Sequence, residues 1–207
     1  MNNTVTKIAV LVSGGGTNLQ ALIDAEKRGE LGNGKISLVI ASKPDVYALE
    51  RAKKAGIDTA VIPGKEYKDQ NAFEAKLVET LETAEIDLIV LAGFMRILSE
   101  SFTSRYPKRI VNVHPSLIPS FCGKGFYGLH VHEAALDYGV KVTGATVHFV
   151  NEIPDGGEII LQKSVQIRKG DTPEILQRRV MEQAEWKILP RAVELVSKEM
   201  KKKKEGK

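Results

Sequence analysis

The chain has 207 residues, 43% of them apolar and 27% charged, the balance of one globular domain with a substantial core. Its formal net charge of +4 gives no support to a nucleic-acid partner, because the last seven residues, KKKKEGK, hold five Lys and one Glu and carry the whole excess. No apolar run approaches the ~18 residues of a membrane-spanning helix, which excludes that class.

Short apolar runs alternate with amphipathic ones from the start. KIAVLVS (7–13) reads as a strand buried on both faces, because its apolar run is continuous. Three glycines follow, and then Leu19, Leu22 and Ile23 mark one face of a helix. ISLVIAS (36–42) predicts a second strand, YALERAKKAG (47–56) a helix stopped at Gly56, and TAVIP (59–63) a short third strand. Phe73, Leu77 and Leu81 recur every four residues along the next helix, and DLIVLAG (87–93) predicts a fourth strand. Parallel neighbours need crossover helices, so this series implies a Rossmann-like, doubly wound α/β sheet.

The texture then changes. RIVNVH (109–114) predicts a strand that opens a loop rich in Gly, Pro and aromatics, from Pro115 to Gly128. LHVHEAALDYG (129–139) predicts a helix ended by Gly139, and VTGATVHFV and GEIILQKSVQI predict an antiparallel C-terminal portion of the sheet. A last helix is expected from Asp171, its N-cap, with Pro173 in the first turn and Pro190 as a kink or break. We expect one domain over residues 1–200 and a flexible lysine-rich tail over 201–207.

Two stretches carry chemistry. In VLVSGGGTNLQALID the glycines admit a ligand close to the backbone, at a helix start whose N–H groups and dipole favour an anion. Thr17 and Asn18 add side-chain donors. Leu19 stands where a dinucleotide fingerprint needs its third glycine, and no G-K-[ST] follows, so the loop suits a single phosphate or is a bare turn. In VNVHPSLIPSF, Asn112 and His114 are two apart and face one side of a strand end. An amide and an imidazole aimed at one point suit negative charge developing on a carbonyl oxygen, or they cap the strand. Asp155, in NEIPDGGEII, is a carboxylate on a shaped loop that either holds an imidazolium or turns the chain. His130 and His132 fall on different helix faces, His148 reads as a packed strand histidine, and no metal-ligand spacing occurs. A single cysteine, Cys122, and an N-terminus without a leader pattern suggest a cytoplasmic protein.

With LAGFMRIL, TGATVHFV and DGGEIILQ in the same order, these motifs resemble the folate-dependent phosphoribosylglycinamide formyltransferases of purine synthesis, from about Lys7 to Pro190. The resemblance implies formyl transfer from 10-formyltetrahydrofolate, a co-substrate, to the amine of phosphoribosylglycinamide, with small-molecule partners, no metal, and a monomer or homodimer. It implies a catalytic trio of Asn112, His114 and Asp155, with Asp155 raising the imidazole pKa. Gly16, Thr17 and Asn18 would hold the substrate phosphate and Glu185 would contact the glycinamide. Met95, Arg96, Ile97, Leu98 and Asn112 would line the folate, bordered by Pro115, Val150 and the loop 151–155. The chain departs from the pattern in its longer CGKGFYGLHVHEAAL segment, in Gln70 where a cation is expected, and in Glu182 where Lys or Gln is common. Methionyl-tRNA formyltransferase and formyltetrahydrofolate hydrolase share the chemistry but carry a further domain, for which this length leaves no room. A phosphate-binding sensor would use the glycine loop alone.

Overall fold

The computed structural model describes residues 5–205. Seven strands form one sheet in the order β3-β2-β1-β4-β5-β6-β7. They are β1 (Thr6–Val12), β2 (Gly34–Ala41), β3 (Asp58–Val61), β4 (Leu88–Leu91), β5 (Ile110–His114), β6 (Val142–Phe149) and β7 (Ile159–Gln166). The first five pair in parallel, and β6 and β7 add antiparallel. The crossovers are α1 (Thr17–Lys27), α2 (Tyr47–Lys54), α3 (Gln70–Thr83) and a one-turn α4 (Glu100–Thr103), which the sequence pattern did not announce. The α/β class, the parallel half and the antiparallel addition are as expected.

The continuous apolar strands are explained by layers on both faces. Ile8, Val10 and Val12 of β1 face Leu19, Leu22, Val193 and Val196, while Ala9 and Leu11 face Phe73, Leu77 and Leu81. Each such buried Val, Leu, Ile or Phe side chain contributes ~1.5–3 kcal/mol relative to exposure. Gly144 in β6 is required by close approach, since a Cβ there would lie 2.1 Å from the Lys163 carbonyl of β7. Among the described residues no helix is long and apolar enough to cross a membrane.

After α5 (His130–Tyr138), ended at Gly139 (φ 81°), the C-terminal helix departs from expectation in three ways. Its N-cap is Thr172, whose hydroxyl accepts from Ile175 N–H, because Asp171 is taken by the Arg179 guanidinium. It comprises α6 (Pro173–Val180), a π turn (Met181–Glu185) and α7 (Trp186–Glu205), and Pro190 lies inside α7 without ending it. The proline ring crowds the carbonyl four residues back, which belongs to Trp186 at the junction with the π turn, where regular spacing has already been broken. Finally, the lysines of 201–205 are helical. Lys203 pairs with Glu199 at 2.6 Å, Lys201 with Glu205 at 3.7 Å, and Lys204 reaches Asp87 at the head of β4, at 2.6 Å. The rest of the expected tail, 206–207, lies outside the described residues.

Candidate active site

A cleft of about 810 Å³ opens at the carboxyl ends of β1, β4 and β5, where the strand order reverses around β1. At its β1 end the chain leaves the strand through Gly14–Gly16 into α1. Gly16 is left-handed (φ 72°), and a Cβ there would sit 2.7 Å from that of Ala48, so no other residue fits without displacing α2. Asn18 lines the cleft and its Nδ2 donates to Glu185 Oε2 at 2.7 Å. Gly16 and Thr17 stand at the head of α1 outside the cleft lining, and the Thr17 hydroxyl faces Met181 Sδ at 3.8 Å. Burial pushes the Glu185 carboxyl up to about 7, against the pull of the Asn18 amide. Glu185 closes the π turn, which brings Gln177, Met181 and Glu185 to one wall.

At the β5 end the three residues expected to act together do converge. His114 Nδ1 lies 3.5 Å from Asp155 Oδ2, and Asn112 Nδ2 lies 3.5 Å from Asp155 Oδ1. Asp155 adopts φ 56° on its loop, a conformation aspartate tolerates, and Gly123 N–H donates to its Oδ2 at 2.8 Å. Burial opposes ionisation of Asp155. The His148 hydrogen bond, the His114 charge and the Gly123 N–H outweigh it and hold the carboxyl below its ordinary range.

His114 differs from expectation. Asp155 does favour the imidazolium, but burial is the larger effect and the net pKa is lowered. Its Nε2 lies 2.8 Å from the Phe121 carbonyl, so Nε2 carries a proton and Nδ1 turns toward Asp155. Phe121 itself is left-handed (φ 49°), an uncommon state for an aromatic residue, which that hydrogen bond helps to hold.

Two histidines read as bystanders belong to the site. In the β5–β6 ladder Asn112 stands opposite His148. His148 Nδ1 donates to the Phe149 carbonyl at 2.8 Å, and its Nε2 lies 3.1 Å from Asn112 Nδ2 and 3.5 Å from Asp155 Oδ1. His132, on α5, is fully buried in the cleft wall with neither ring nitrogen hydrogen-bonded, and burial pushes its pKa down to about 4. The antiparallel register would have exposed the role of His148, but a register is not written in one strand's pattern.

Met95, Arg96, Ile97 and Leu98 follow β4 and line the cleft with Pro115, Val150 and 151–155. Ser13 Oγ accepts from Met95 N–H at 2.9 Å, tying this segment to β1. Met95 and Ile97 are more than half exposed, forming an apolar wall with Ile153. The Arg96 guanidinium instead stacks on Phe73 (4.3 Å) and donates to Gln70 Oε1. Gln70 is therefore occupied at the rim, with its Nε2 on Glu74 and the Ile97 carbonyl. Glu182 pairs with Arg178 at 2.8 Å rather than with Glu185.

The formyl transferase family profile matches residues 6–193. The phosphoribosylglycinamide formyltransferase of Haemophilus influenzae is 44% identical over 184 residues, 89% of this chain and 84% of that protein. The trifunctional purine biosynthetic protein adenosine-3 of Bos taurus is 48% identical over 191 residues, 92% of this chain, and the chain spans 18% of its length. The crystal structure of glycinamide ribonucleotide transformylase 1 from Symbiobacterium toebii matches with a TM-score of 0.88 and 41% identity, covering 96% of this chain and 90% of that one. The match runs from β1 into α7 and takes in both ends of the cleft, so the chain belongs to the formyl transferase family.

Proposed function

We propose that the chain transfers the formyl group of 10-formyltetrahydrofolate to the primary amine of 5-phosphoribosylglycinamide, a step of purine biosynthesis. The convergence of Asn112, His114 and Asp155 between a glycine loop and an apolar wall carries this reading. The wall of Met95, Ile97, Leu98 and Val150 suits a flat pterin, and the cleft volume lies within the range of small-molecule sites. Gly16, Thr17 and Asn18 take the phosphate, and Glu185 holds the glycinamide amine.

The amine nitrogen adds to the formyl carbon, whose oxygen takes up the electron pair. The Asn112 amide donates to that oxygen, and His114 Nε2–H turns to it from the Phe121 carbonyl. Burial of the imidazole lowers its pKa and disfavours the cation. A developing oxyanion beside Asp155 reverses that balance and favours the imidazolium, whose Nε2 proton passes to N10 as the C–N10 bond breaks while Nε2 takes up the proton shed by the amine. Asp155 then steadies a transient cation.

The test is an assay of formyl transfer from 10-formyltetrahydrofolate with three acceptors in parallel. Formylation of the ribonucleotide is expected. Transfer to methionyl-tRNA, release of formate to water, or phosphate binding without turnover would overturn the assignment.

A further inference from the structure

The glycine loop can serve as a phosphate cradle only if it shows the anion its N–H groups and hides its carbonyls. Three consecutive glycines make that hard to guarantee. Glycine reaches both left- and right-handed backbone conformations, so the peptide planes between Gly14, Gly15 and Gly16 can turn over at little intrinsic cost. A flipped plane would present a carbonyl oxygen to the phosphate.

The structure shows each carbonyl tied down. The Gly14 carbonyl accepts from Ala48 N–H at 3.3 Å, and the Gly16 carbonyl accepts from Gln20 N–H at 2.9 Å. Both of those donors are backbone groups of helices. The Gly15 carbonyl is held by a side chain, accepting from Arg51 Nε at 2.8 Å. Arg51 is fixed in turn, since its Nη1 donates to Gln20 Oε1 at 2.9 Å and its guanidinium lies 4.8 Å from the Tyr47 ring centroid. A peptide is planar and trans, so the N–H of Gly16 points opposite to the Gly15 carbonyl and away from Arg51.

We propose that Arg51 is the positioning residue of the phosphate site, clamping the Gly15–Gly16 peptide so that its N–H faces the substrate phosphate. This rests on the reading above that the loop takes the phosphate of the ribonucleotide. Arg51 does not need to touch the phosphate. Its fork joins the loop to α1 through Gln20 and to α2 through its own backbone, making a flexible turn selective for an anion.

Arg51→Ala should raise KM for the ribonucleotide about tenfold, leaving kcat and the KM of the folate within about twofold. The dephosphorylated glycinamide riboside gives the decisive control. Its KM should not change in the variant, so the preference for the phosphorylated substrate falls by the same factor. An unchanged KM for the ribonucleotide, or an equal rise for both acceptors, would overturn the proposal. Wild-type turnover of the ribonucleotide tests the function separately. Should it fail, thermal stabilisation by inorganic phosphate still tests the clamp, being expected in the wild type and absent in Arg51→Ala. Equal stabilisation of the two proteins would overturn it. Gln20→Leu, which loosens Arg51 without removing its charge, should give a smaller rise in the same direction, and no rise counts against the clamp.

Discussion

At the β1 end of the cleft the groups offered to a ligand are chiefly backbone amides, whereas at the β5 end they are side chains. The difference follows from the sheet. β1 is a central parallel strand that must end in a tight turn into a helix, and such a turn leaves N–H groups free. β5 is the last parallel strand, and its antiparallel neighbour β6 sets His148 directly across from Asn112. Antiparallel pairing brings side chains from distant sequence face to face, which is what a cluster of an amide, two imidazoles and a carboxylate requires. Substitutions should therefore act differently at the two ends.

The largest effect is expected at the side-chain end. His114→Ala and Asp155→Asn should each lower kcat by about 10²–10³-fold with an unchanged melting temperature, as loss of an oxyanion donor or its support does. Near-wild-type turnover in either would remove that residue from the chemistry. Next comes pH, where the ends oppose each other. Glu185, raised to about 7, contributes stability that is complete below the unfolded value of 4.5 and is lost as pH rises through 7. His132, lowered to about 4, contributes stability that is complete above 6.5 and is lost as pH falls through 4. Each swing is worth roughly 3 kcal/mol at about 1.4 kcal/mol per pH unit, so the two largely offset each other. Glu185→Gln should uncover the His132 slope in denaturation measured from pH 7 down to 4, and a slope identical to wild type would count against the assignment.

The backbone end responds to backbone changes. Gly16→Ala forces a Cβ against Ala48 at a positive φ and should cost roughly 1–3 kcal/mol of stability while weakening phosphate binding. The smallest effect belongs to a side chain at this end. Thr17→Val should cost at most about 1 kcal/mol in ribonucleotide binding, visible as a KM change below tenfold. A Thr17 effect as large as that of His114 would erase the contrast between the ends.

What the sequence made legible follows the same division. Strands buried on both faces announce themselves as unbroken apolar runs, and Asn112 and His114 share a face because a strand has period two. Asp155 was legible as a carboxylate on a shaped loop with two readings open, and the family resemblance set it beside the imidazole, where it lies 3.5 Å from both His114 and Asn112. His148 and His132 were read as bystanders because each owes its position to partners far along the chain, one through β-register and one through packing of α5 into the wall. The lowered pKa of His114 was invisible for a related reason, since a neighbouring carboxylate can be anticipated from motifs but the depth of burial cannot. Capping by Thr172 in place of Asp171 turned on Arg179, one helical turn beyond any local signal.

The π turn at Met181–Glu185 makes the shape of the turn beneath the buried acid a matter of counting. A π turn closes one residue later than an α turn, so it amounts to a surplus residue lodged in an otherwise regular helix. Removing one residue there would restore a plain helix with the flanking turns still in register, because the wide turn already absorbs the ~100° that one residue spans. What would go is the widened turn that ends at the carboxyl, on the wall it shares with Gln177 and Met181, though every neighbouring side chain kept its identity. A trait of that kind is acquired or lost by insertion and deletion, and no exchange of one amino acid for another reproduces it.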